Sequence, residues 1–156
     1  MELTIKKETA QKIYPESAGW FQEVLVETFG EKAFKPKNFR DIKTFNDVCL
    51  ANGTTEQEFN DRFENLGLDL DTIIYEKMKL MVKAINQSWI PDMHNSSQRK
   101  WYPYFEVSAS GLGFSSSAYL YAITDTAAGS RLCFETEEKS NYAGTQFIEI
   151  YQQFIL

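Results

Sequence analysis

The sequence predicts an α+β fold, with helices first and a small antiparallel sheet and a closing helix last. Three observations predict it. Up to about residue 90, apolar residues recur at helical spacing between capping signals. Past residue 100 the pattern turns to short runs rich in Tyr, Phe, Val and Ile, separated by Ser, Gly and Ala. Behind Thr136 the helical spacing returns. At 156 residues the chain has the length of one domain, 1–156. Its helical part covers about 1–90, and the sheet with its closing helix about 101–156.

Pro15 suits a first helical turn, and Trp20, Phe21, Val24, Leu25 and Phe29 follow at helical spacing before Gly30. A helix is expected over about 16–29. Residues 31–43 mix basic residues with Phe34, Phe39 and Ile42 and read as an irregular connection. Two short helices come next, opened by capping boxes at Thr44…Asp47 and Thr55…Glu58 and closed by Asn52-Gly53 and Gly67. Ile74, Met78, Met81, Val82, Ile85 and Trp89 then trace a broad apolar stripe, with Asp69 and Asp71 at its start and Pro91 at its end.

Residues 92–100 form a polar loop. Tyr104 to Val107, Tyr119 to Ile123 and Leu132 to Phe134 read as strands with short linkers, so a three-stranded antiparallel meander is expected. Thr136 caps the last helix, whose one face carries Ala143, Phe147, Ile150, Tyr151 and Phe154. Gly144 inside it costs about 1 kcal/mol against Ala unless something packs closely there. Three strands are unstable alone, so this helix, with the long 70–89 helix, is expected to cover one face.

Charge narrows the function classes. The net charge is −6. Residues 1–43 carry +1, 44–89 carry −4 and 90–156 carry −3. No segment has the basic footprint of a nucleic-acid or anionic-membrane binder. Residues 45–63 imitate a helix-turn-helix, but the second helix holds Glu56, Glu58, Asp61 and Glu64 against Arg62 alone, which phosphates repel. Cys49 and Cys133 make no disulfide framework and are expected to be reduced and buried. The start, Met1-Glu2-Leu3-Thr4-Ile5-Lys6-Lys7, lacks an apolar signal region, so the expected compartment is the cytoplasm.

Catalytic readings are poorly supplied. His94 is the single histidine, with Asp92 two residues away, and no metal-ligand spacing accompanies it. No metal or other cofactor is expected. The acid pairs Asp69/Asp71 and Glu137/Glu138 sit at helix starts, where the dipole accounts for them. A small carboxylate hydrolase is therefore the second reading, and a nucleic-acid-associated accessory protein the third. Gly111-Leu112-Gly113 lacks the rest of a phosphate loop, and Gly129-Ser130-Arg131 reads as a turn.

The richest feature is aromatic: Trp101-Tyr102-Pro103-Tyr104-Phe105, with Tyr119 and Tyr121 further on. Alternation in a strand puts Trp101, Pro103 and Phe105 on one side and Tyr102 and Tyr104 on the other. Tyrosines among Ser and Gly are the composition of binding surfaces. The candidate binding residues are Trp101, Tyr102, Tyr104, Tyr119 and Tyr121. A non-enzymatic module that binds a protein partner or itself is the leading expectation.

The residues Trp89-Ile90-Pro91-Asp92, Tyr102-Pro103-Tyr104-Phe105, Gly129 to Phe134 and Tyr142 to Phe147 add a further pointer. Through them the chain resembles a group of small uncharacterised proteins carried by bacteriophages and prophages of gut bacteria. Tyr14-Pro15-Glu16 and Phe45 to Cys49 echo it more weakly. Met93 departs from the group, where Trp is expected. The resemblance implies a phage or mobile-element context and supplies no catalytic residues.

Overall fold

A computed structural model of the chain describes residues 4–120 and 131–156. It is α+β. Helix α1 (Lys7–Ile13) leads through a short 3-10 turn into α2 (Gly19–Phe29). Helices α3 (Phe45–Ala51), α4 (Glu56–Glu64) and α5 (Leu70–Asn86) follow, then strands β1 (Lys100–Ser108) and β2 (Gly111–Leu120). Helices α6 (Glu137–Gln146) and α7 (Ile148–Ile155) close the chain.

The capping chemistry read from sequence is present. The Thr44 and Thr55 hydroxyls accept from the N–H groups of Asp47 and Glu58, and both carboxylates reach back to the capping residue's own N–H. Asp69 caps α5 by accepting from Thr72 N–H at 2.8 Å. The Thr54 hydroxyl also donates to Glu58, at 2.7 Å. Hydrogen bonds hold Glu58 and Asp69 below the usual carboxylate range, chiefly those from Thr54 and from Thr72 N–H respectively.

Two apolar clusters form. The larger joins α5 to α6 and α7 through Met78, Met81, Val82, Ile85, Ala143, Phe147 and Ile150, with Ile42, Val48 and Phe134. The smaller gathers Ala10, Tyr14, Leu25, Ala33, Phe34 and Leu50. Tyr14 and Phe34 stack at 4.5 Å between ring centroids. Tyr14 Oη accepts from Asn46 Nδ2 at 2.9 Å, which fastens the small cluster to α3.

The sheet differs from expectation. Among the described residues it has two strands, not three. Strand β2 begins at Gly111, so the Gly- and Ser-rich stretch expected as a linker is itself strand. Positions 121–123 of the expected second strand lie outside the described residues. The expected third strand, Leu132 to Phe134, makes a single bridge: Trp101 and Phe134 exchange both backbone hydrogen bonds, at 3.0 and 2.8 Å.

Chemistry explains the short pairing. Two residues beyond Trp101 the next donor on that edge is missing, because Pro103 has no N–H. At the other end Thr136 already caps α6, its hydroxyl accepting from Lys139 N–H. Asn86, buried at the end of α5, takes up two of the segment's other backbone groups instead. Its amide donates to Cys133 O at 2.8 Å and accepts from Glu135 N–H at 3.1 Å.

Three helix readings are also corrected. Trp20 and Val24, expected on the apolar face of α2, are exposed, while Leu25 is buried. Helix α5 stops at Asn86, with Gln87 at φ 59°, so Trp89 lies beyond it. The closing helix is broken at Phe147, whose backbone (φ −114°, ψ 30°) turns α7 away from α6.

Candidate interaction face on the hairpin

The hairpin is built from β1, a turn at Ser108–Gly111, and β2. Gly111 has φ 115°, a conformation that favours glycine. Directly opposed residues share a side. The register pairs Trp101 with Tyr119, Tyr102 with Ala118, Pro103 with Ser117 and Tyr104 with Ser116, and then a bulge precedes Phe105–Phe114.

One side is sealed. Helix α6 packs on both strands and α7 on β2. Ser117 Oγ donates to Ser140 Oγ at 2.8 Å, and the Phe105 ring lies 4.6 Å from that of Tyr151. Trp101 joins this side, half-buried against the large core and edge-on to Tyr119 at 4.9 Å. Tyr119 sits at the rim, with the Arg99 guanidinium 4.6 Å above its ring.

The outer side carries Lys100, Tyr102, Tyr104 and Glu106 from β1. Its Lys100 end is closed. Lys100 is fully buried, and its ammonium donates to the carbonyls of Asn95 and Gln98 at 3.2 and 3.1 Å. Those bonds fold the polar loop back over the strand. Cys133 is also fully buried, beside Tyr102, whose hydroxyl hydrogen-bonds with it. Burial raises the Tyr102 phenol, and the thiol next to it adds to that. Burial likewise pushes the Cys133 thiol up to about 11, against the opposing pull of Tyr102 and Lys100.

The far end is open. Tyr104 is 47% exposed, and Glu106, Ser115 and Ser116 are exposed with it. On β2, Ala118 and Leu120, which stand opposite Tyr102 and Lys100, are exposed too, Leu120 by 51%. Ser115 Oγ donates to Glu106 Oε1 at 2.9 Å.

The five candidate residues therefore do not form one face. Trp101 and Tyr119 belong to the helix side, Tyr102 and Tyr104 to the outer side, and Tyr121 lies outside the described residues. Sequence reasoning missed Lys100 as the group that closes one end. Its signal was a lysine at the junction of a polar loop and an aromatic strand, where free loop carbonyls are plentiful.

The remaining candidates take structural positions. His94 is exposed in the loop, its N–H bonded to Asp92 Oδ1 at 2.9 Å. Cys49 is fully buried in α3, and burial pushes its thiol up to about 12. Glu138 pairs with Arg40. Among the described residues, no three His, Cys, Asp or Glu side chains converge as metal ligands would. Among the same residues, no helix is long and apolar enough to cross a membrane. Comparison with protein-family models, with curated proteins and with solved structures finds no match to this chain.

Proposed function

We propose that the chain is a non-enzymatic interaction module of phage or prophage origin that binds a protein partner, or a second copy of itself, through the outer side of its hairpin. The carrying observation is the asymmetry of that hairpin. One side is packed by α6 and α7, while the other displays Tyr104 among small hydroxyl residues, with Leu120 exposed further along β2. A rigid aromatic ring among serines gives contact area at low entropic cost with adaptable hydrogen bonding around it. A non-enzymatic reading is further supported by the two thiols, both buried and held in the protonated, unreactive form.

Sedimentation velocity and partner capture with a Tyr104→Arg, Ala118→Arg double variant test the reading. Association is expected for the wild type and lost in the variant, with stability changed by less than about 0.5 kcal/mol at these exposed sites. Association that survives both substitutions removes the outer side as the binding surface. So does a loss of several kcal/mol from Tyr104→Ser, which marks a core ring. For the origin, flanking genes of a structural, lysis or replication module are expected.

A further inference from the structure

A second surface lies away from the sheet. Between α2 and the first turn of α4 runs a groove of about 440 Å³. Its apolar floor includes Val26 and Leu50, and its walls carry Glu23 and Glu27 from α2 and Glu56 from α4. None of its described lining residues is a lysine or arginine. The capping bonds at Thr54 and Thr55 occupy Glu58, but Glu23 and Glu27 are exposed along one stripe of α2. Next to that stripe, at i and i+4, stand Trp20 and Val24, exposed by 70% and 45%.

Carboxylates alone make a solvated helix face. Here they lie between an apolar floor and an exposed apolar pair, so an occupant gains from burying apolar groups only if it also answers the charge. We infer that this groove docks a basic amphipathic segment of a protein partner, whose apolar side chains cover Trp20, Val24 and Val26. Its lysines or arginines meet Glu23, Glu27 and Glu56. The inference is independent of the hairpin face.

Gly19 supplies a clean test, because it lines the groove and a Cβ added there meets no atom within 4 Å. Gly19→Gln therefore fills the groove without disturbing the fold. The probe is a fluorescein-labelled amphipathic peptide of Leu-Lys-Lys-Leu repeats, followed by anisotropy at low and moderate salt. Expected are saturable binding that weakens with salt, and a loss of about tenfold or more in Gly19→Gln and in Glu23→Lys, Glu27→Lys. A control of equal charge change, Glu137→Lys with Glu149→Lys on α6 and α7, is expected to bind as the wild type does. Circular dichroism confirms that each variant is folded. Equal weakening in the control means that net charge alone attracts the peptide, and overturns the inference. So do absence of binding at low salt and equally strong competition by spermine, which has charge without an apolar face.

Discussion

At the scale of single residues, Gly144 shows how far sequence reasoning reaches. A glycine inside a helix costs about 1 kcal/mol against alanine, so its presence in α6 called for a close neighbour. The neighbours are Phe114 and Pro103 on the hairpin. A Cβ at position 144 would run into the Phe114 ring and stand 2.9 Å from Pro103 Cβ. The need for a partner was legible; its identity was not, because β2 was placed too late in the chain to hold Phe114. The two effects of Gly144→Ala oppose each other, and overpacking at about 1–3 kcal/mol outweighs the helix gain. The substitution is therefore expected to lower stability by about 1–2 kcal/mol in urea denaturation. A gain in stability would show that α6 does not press on the hairpin. Lys100 marks the opposite limit. Burial of an ammonium under loop carbonyls leaves no trace in hydrophobic pattern, since the loop that buries it has no periodicity.

At the scale of elements, local chemistry was legible and long-range chemistry was not. Capping boxes depend on residues three apart, and both appeared where the sequence placed them, at Thr44 and Thr55. Thr55→Ala is expected to cost about 1 kcal/mol, and Thr55→Ser to keep most of it, as read from urea midpoints. A cost below a few tenths would mean that α4 does not lean on its cap. The end of α5 and the continuity of the closing helix were misjudged for one reason. Apolar spacing continues through Trp89 and through Phe147, yet the backbone leaves the helix at Gln87 and kinks at Phe147. At the end of α5, Asn86 turns to pin the segment around Cys133. The Gly- and Ser-rich half of β2 was hidden because such residues resemble linkers, and only pairing with an aromatic β1 makes them strand.

At the scale of the whole molecule, the α+β class followed from the order of patterns along the chain. The division of the candidate site did not. Alternation in β1 was readable, but the side to which Tyr119 belongs depends on register, and register on the turn at Ser108–Gly111. The acidic groove was equally hidden, because it joins α2 to α4 across the smaller cluster. Both clusters share one vulnerability. Tyr14 in the smaller cluster is pushed up to about 12 by burial, Cys49 to about 12 and Cys133 to about 11. Burial raises Tyr151, in the larger cluster, as well. Each of these groups is neutral when protonated, and the fold holds its proton more tightly than the unfolded chain does. Unfolded thiols release theirs near about 8.5 and phenols near about 10. Above those values the unfolded state binds fewer protons than the folded one, so stability falls as pH rises. The stabilisation is fully present at neutral pH and is lost from about pH 8.5 upward, thiols first and phenols after. Urea midpoints are expected to be level between about pH 7 and 8 and to drop steadily by about pH 10.5. Cys133→Ala, although weaker at neutral pH through its lost packing, is expected to show a shallower drop, because one of the two thiols no longer titrates. An unchanged midpoint across that range would mean that these groups meet water in the folded protein, and would undo the packing of both clusters at once.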